Sequence, residues 1–193
     1  MRVLVLYSHP VESSFAAALH EKVIDGLQNA GHEVDDCDLY AEDFEPRLSR
    51  EERLAYHDLE HNRLPVSGYV ERLLKAEALV IVTPVWNFGY PAILKGFLDR
   101  VFLPGVSFKM ADGKVVPNLQ SIHKLAVVTT YGGTRLRAFL VGDPPRKIAT
   151  RLFRGLIKPG APVGYYALYD MNRVTQVQRE NFLSKVHSKM GAF

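Results

Sequence analysis

Three short stretches of the chain hold most of the side chains that can do chemistry. The first, Ser8-His9-Pro10-Val11-Glu12-Ser13-Ser14-Phe15, sets hydroxyls and an imidazole directly before an amphipathic run. A helix starting there presents unpaired N–H groups and the positive end of its dipole, so with His9, Ser13 and Ser14 around it the stretch suits a phosphate; capping by a serine alone explains the same residues. The second, Thr83-Pro84-Val85-Trp86-Asn87-Phe88-Gly89-Tyr90-Pro91, places three aromatics within five residues. Each such ring can bury roughly 150–250 Å², and a flat tricyclic ligand such as an isoalloxazine offers a matching face, with Asn87 and loop amides meeting its polar edge. The alternative is that these rings plug against a neighbouring helix or subunit. The third, Thr129-Thr130-Tyr131-Gly132-Gly133-Thr134, joins hydroxyls to two glycines, which let the backbone approach a ligand closely or adopt positive φ.

What makes the three stretches one site is the arrangement of elements around them. Short apolar runs alternate with amphipathic ones, the pattern of βαβ units and a mainly parallel sheet. Strands are expected at Arg2–Tyr7, His32–Leu39, Leu79–Thr83, Lys124–Thr130 and Gly164–Tyr169, and the third, almost wholly apolar, belongs in the centre of the sheet. The five main helices are expected at Ser14–Asn29, Val66–Glu77, Pro91–Phe102, much of Arg146–Leu156, and Thr175–Met190, with Gly31 closing the first. Helical character also shows around Ser49–Glu60 within the polar segment Glu42–Pro65, and Asp112-Gly113 reads as a hairpin turn. For five parallel strands the order 2-1-3-4-5 is the common doubly wound solution, and it puts the ends of strands one, three and four on one edge, where such sheets bind ligands. With no internal repeat, linker or composition shift, residues 1–193 are read as a single domain, an α/β three-layer fold.

Composition excludes several functions. The chain has 193 residues, 24 Lys plus Arg against 21 Asp plus Glu and a formal charge of +3, too even a balance to argue for nucleic acid. Its densest basic stretch, Arg135 to Arg154, is interrupted by apolar residues and two prolines and reads as a site wall or a solvated face. The loop after strand one lacks the glycine patterns of a P-loop or a dinucleotide-binding turn, and lacks the carboxylates that a phosphoacceptor domain needs there for a metal. No apolar run approaches the ~20 residues of a membrane span, the N-terminus reads as a strand rather than a signal segment, and the single Cys37 cannot form an intrachain disulfide. A soluble protein of a reducing, cytoplasmic compartment is expected. His57 and His61, four apart near Asp58 and Glu60, lack further ligands in sequence and read as a solvated face. His20, His32, His123 and His187 read as surface or cap residues, and Tyr165, Tyr166 and Tyr169 as core.

Taken together, His9-Pro10 with Ser13-Ser14-Phe15, Asp38-Leu39-Tyr40 followed by Phe44-Glu45-Pro46, Gly89-Tyr90-Pro91-Ala92-Ile93-Leu94-Lys95-Gly96-Phe97, and Thr129-Thr130-Tyr131-Gly132-Gly133 resemble the NAD(P)H:quinone oxidoreductase family. This is the DT-diaphorase-like branch of flavodoxin-like folds, which includes ancillary oxidoreductases of glutathione-gated potassium efflux. The resemblance spans most of the chain. It implies that His9, Ser14 and Phe15 hold the phosphate region of a flavin. Pro84, Val85, Trp86, Asn87 and Phe88 would line its ring, and Thr130, Tyr131, Gly132 and Gly133 would meet the other edge. It also implies NAD(P)H as electron donor, a quinone or similar small electrophile as acceptor in a ping-pong cycle, and a homodimer whose sites the partner completes, with Phe108 and Glu42–Pro65 as lid candidates.

The chain departs from that pattern in informative places. DT-diaphorase carries a Tyr and a His beyond the Gly-Gly turn, whereas Thr134-Arg135-Leu136-Arg137-Ala138 has neither, which leaves Tyr131 and Arg135 as the candidate catalytic side chains. Ala16 replaces a polar residue, and the family's longer C-terminal extension has no counterpart here; both leave FMN favoured with FAD as the alternative. Two other functions stay open: a flavin-binding regulatory subunit of a membrane transporter, and a one-electron carrier.

Overall fold

A computed structural model describes all residues, 1–193. Five parallel strands, β1 (Arg2–Tyr7), β2 (Glu33–Asp38), β3 (Ala78–Val85), β6 (Lys124–Tyr131) and β7 (Val163–Leu168), form one sheet in the order β2-β1-β3-β6-β7. This is the expected 2-1-3-4-5 arrangement once the separate hairpin of β4 (Phe108–Ala111) and β5 (Lys114–Pro117) is set aside. The hairpin turns at Asp112 and Gly113, both at positive φ, as an Asp-Gly pair demands.

Strand side chains alternate between two cores, the period-two rule that a strand imposes. Leu4, Leu6, Leu79, Ile81, Leu125 and Val127 face a larger cluster with α3 (Ser67–Lys75) and α4 (Ala92–Val101). Val3, Val5, Tyr7, Val80, Val82, Ala126 and Val128 face α1 (Phe15–Asn29) and α8 (Gln176–Gly191). Both faces of β3 are therefore dry, which is why its sequence is apolar without interruption.

The Gly96 of α4 is a packing requirement: a Cβ there would lie 2.2 Å from the Pro46 carbonyl oxygen, so helix and loop touch backbone to backbone. Next to it, Arg100 is buried over the Phe44 ring, donates to Glu52 Oε1 at 2.8 Å and also reaches the Glu45 carbonyl. Burial would push the Glu52 carboxyl up, but the Ser49 amide and Arg100 together hold it below its usual range. The clustered Phe44-Glu45-Pro46 and Gly96 residues are thus the two halves of one contact.

Several boundaries differ from expectation. The helical character around Ser49–Glu60 condenses to α2 (Arg50–Leu54), which a Ser49/Glu52 capping box starts; beyond it come turns and a 3₁₀ turn at Leu64–Val66, anchored by Asn62 donating to the Tyr56 and Pro104 carbonyls. Strands β3 and β6 run on to Val85 and Tyr131, which pair with each other, so the chemical loops begin two residues and one residue later than the sequence suggests. A short helix, α5 (Arg135–Leu140), was not expected. It is followed by α6 (Pro144–Lys147), a π-helical turn at Ile148–Phe153 and α7 (Arg154–Leu156), which together cover the single helix expected over Arg146–Leu156. No helix is long and apolar enough to cross a membrane.

Candidate functional site

The carboxyl ends of β1 and β3 are tied before they part. Ser8 is fully buried, donates its amide to the Val82 carbonyl at 3.2 Å and its hydroxyl to Thr83 at 2.8 Å. Beyond this tie the two chains diverge to opposite sides and open a cleft of about 280 Å³ at the switch point of the sheet. His9, Ser14, Phe15 and Ala16 line one side, Pro84, Val85 and Trp86 the other, and Thr130, Gly132 and Met171 close it.

On the β1 side, Ser14 caps α1 by accepting from the Ala17 amide at 3.1 Å. The Phe15 and Ala16 amides find no acceptor in the protein, and no acidic side chain occupies the first turn. Unpaired amides at the positive end of a helix dipole are an arrangement that suits an anion. His9 Nδ1 accepts from the Val11 amide at 3.1 Å, which leaves the proton on Nε2 as a donor. Its ring stands edge-on to Trp86, 5.8 Å between centroids.

On the β3 side, Trp86-Asn87-Phe88-Gly89 is a tight turn with reciprocal Trp86–Gly89 backbone bonds of 3.0 and 2.8 Å and both central residues left-handed, Asn87 at φ 49° and Phe88 at φ 55°. This is the type I′ geometry, unusual for a phenylalanine. It leaves Trp86 at the rim, 42% exposed, and sets the Phe88 ring beside Gly133.

Of the two reasons the sequence offers for the glycines of the third loop, positive φ does not apply. Neither Gly132 nor Gly133 has positive φ, and a Cβ on either would meet nothing closer than 3.9 Å. Backbone conformation and protein packing both permit a side chain there. What a side chain at Gly132 would fill is the cleft.

Of the residues singled out in sequence, the structure brings His9, Ser14, Phe15, Pro84, Val85, Trp86, Thr130 and Gly132 together. Ser13, Asn87, Phe88 and Gly133 flank the cleft without lining it. The Tyr131 side chain does not line the cleft: it is buried, its hydroxyl donates to Asp143 at 2.6 Å, and the Tyr165 hydroxyl lies 2.5 Å off. Burial first, then the Asp143 carboxylate, holds this phenol far above its ordinary range, so its proton is committed. Arg135 lies in a neighbouring pocket rather than the cleft. Tyr169 is likewise not core: it leaves β7, stacks on Tyr131 at 4.5 Å and lines the same neighbouring pocket. His20 is no plain surface residue, since it lies flat on Tyr7 at 4.2 Å and bonds Asp36 at 2.8 Å. Ala16, which the sequence marks only as an apolar replacement, also lines the cleft, as does Met171, which carries no sequence signal of its own. Met171 sits just past the end of the fifth strand, an edge the doubly wound rule itself points to.

The profile of the Flavodoxin_2 family, a flavodoxin-like fold, matches residues 1–180. The chain is 34% identical to the NAD(P)H dehydrogenase [quinone] 1 of Cavia porcellus over 68% of this chain and 54% of that protein. It is 32% identical to the FMN-dependent NADH:quinone oxidoreductase of an Exiguobacterium strain over 66% of this chain and 67% of that protein. Among solved structures, the NAD(P)H:quinone oxidoreductase from Methanothermobacter marburgensis superposes with a TM-score of 0.84 at 27% identity, over 99% of this chain and 98% of that one. The chain spans about half to two thirds of the length of other curated relatives it matches. The chain belongs to the flavodoxin-like family of the NAD(P)H:quinone oxidoreductases.

Proposed function

We propose that residues 1–193 form one domain that holds FMN in the β1–β3–β6 cleft, takes electrons from NAD(P)H and reduces a quinone or similar small electrophile by two electrons. The observation that carries this reading is the fit of one cleft to a phosphorylated flat ring: free amides at the start of α1, an aromatic wall at Trp86, and a bare glycine, Gly132, on the wall between. The related proteins named as FMN-dependent NADH:quinone oxidoreductases support the same group.

The flavin, when bound, supplies the hydride chemistry; the protein's part is to bind and position it. The Phe15 and Ala16 amides would take the phosphate with the His9 Nε2–H as a further donor, while Val85 and Trp86 shield the ring from water. The Gly132 backbone would let the opposite edge approach without a side chain between. The space beyond His9 is lined by Glu12, Glu21 and Asp38, a poor neighbour for a second phosphate, and this favours FMN over FAD. Donor and acceptor would use the same open face in turn, the ping-pong order, with a homodimer as the working unit.

Purified protein tests this directly. The expected preparation is yellow, is bleached by NADPH or NADH without air, and regains its colour on adding benzoquinone, with one FMN per chain released on denaturation. A flavin that nicotinamides do not bleach would shift the assignment to a one-electron carrier, and a colourless protein that does not take up FMN would end it.

A further inference from the structure

Across the Gly132–Gly133 turn from the cleft lies a second pocket of about 320 Å³, lined by Arg135, Arg146, Lys147 and Arg151 with Phe139, Gly142, Asp143, Thr150 and Tyr169. Its charge is unbalanced. None of the four cations makes an ion pair within 4.0 Å anywhere in the protein, and the one carboxylate, Asp143, is taken by the Tyr131 hydroxyl.

The cations are positioned rather than merely numerous. Arg146, in α6, and Arg151, within the π-helical turn Ile148–Phe153, come from successive elements and line the same pocket. The Arg146 guanidinium lies over the Tyr165 ring at 5.2 Å. The Lys147 ammonium would be 3.3 Å from a Cβ at Gly142, so the bare turn makes room for it. Phe139, 75% exposed, stands on the wall of this charged pocket. Four unpaired cations next to an open aromatic face suit a nucleotide better than a simple anion, the phosphate going to the charges and the base to the ring.

The pocket and the cleft share a wall. The Gly133 carbonyl accepts from the Asp170 amide at 2.9 Å and the Tyr131 carbonyl from the Met171 amide at 3.0 Å, so Tyr169 faces one cavity and Met171 the other. We propose that this pocket receives the adenosine 2′-phosphate of an NADPH donor whose nicotinamide enters the cleft, and that it makes the protein prefer NADPH to NADH. This rests on the flavin reading above.

Calorimetric titration of the purified protein with adenosine 2′,5′-bisphosphate, 5′-AMP and inorganic phosphate reads the pocket without any turnover. The bisphosphate binds at least on the order of tenfold more tightly than either comparator. In the Arg146→Gln/Arg151→Gln double variant that advantage is lost, and the ratio of kcat/KM for NADPH over NADH falls on the order of tenfold or more. Both arginines are solvent-exposed, and the melting temperature reports whether the variant remains folded. A ratio that does not move, or a bisphosphate bound no better than 5′-AMP, overturns the proposal. Phosphate bound as tightly as the bisphosphate makes this a plain anion site and overturns the nucleotide assignment. If the protein neither holds flavin nor oxidises a nicotinamide, the titrations still decide the pocket, so the two readings fail separately.

Discussion

The cleft and the basic pocket sit on either side of one turn and are built on opposite principles. The cleft is nearly neutral and made by subtraction: amides left unpaired, a glycine left bare, a tryptophan left at the rim. The pocket is made by addition, four cations gathered from α5, α6 and the π-helical turn around a hydrogen-bonded tyrosine cluster. A ligand meets preorganised backbone in the first and long, solvated side chains in the second. Short-range geometry should therefore govern the cleft, and charge the pocket.

Filling the cleft gives the largest effect that separates the two. Gly132→Val adds a branched side chain where the flavin edge would lie, and overpacking of about 1–3 kcal/mol weakens FMN binding on the order of tenfold to a hundredfold. The flavin-free protein should melt as before, because the substituted atom has 3.9 Å of clearance. Binding of adenosine 2′,5′-bisphosphate across the turn should also persist. Equilibrium dialysis against FMN checks the first point, and unaltered flavin retention would show that the glycine has some other reason.

The same contrast explains what could be read from sequence. The cleft announces itself because each part depends on local pattern: a serine before a helical run, aromatics crowded after a buried strand, paired glycines after another. The sheet order followed from apolar runs such as Leu79–Val82, whose residues are wholly or almost wholly buried. Arg135 to Arg154 reads as basic, but its meaning depends on a short helix that the sequence does not announce and on how α5, α6 and the π-helical turn surround one pocket. Nor does any local signal tell that Tyr131, next to Gly132, turns inward to Asp143 while its neighbour opens to solvent; that depends on Asp143 taking a left-handed conformation twelve residues on.

Salt sharpens the comparison at a smaller scale. Screening lengths fall from about 10 Å at 0.1 M to about 3 Å at 1 M, so attraction exerted by exposed arginines fades while short hydrogen bonds from buried amides persist. Between low and high potassium chloride, KM for NADPH should rise severalfold more than KM for NADH, with little change in FMN affinity. Equal rises for both donors would mean that the pocket's charge does not reach the 2′-phosphate.

The smallest effect probes how the rim of the cleft is held. Asn87 is exposed and left-handed at φ 49°, a conformation that costs most residues about 1–2 kcal/mol, and asparagine or glycine less. Asn87→Ala should lower stability by about 1 kcal/mol and Asn87→Gly should leave it nearly unchanged, measured by urea unfolding of the flavin-free protein. Because Trp86 and Gly89 close the turn on both sides of this residue, the alanine variant should also loosen Trp86, seen as a shift in its fluorescence that added FMN reverses. Since Asn87 touches neither cavity, such a result would place the aromatic wall under the control of a backbone angle rather than of packing. Equal stability of the two variants would mean that the turn relaxes freely, and the wall would then be assembled by the flavin itself.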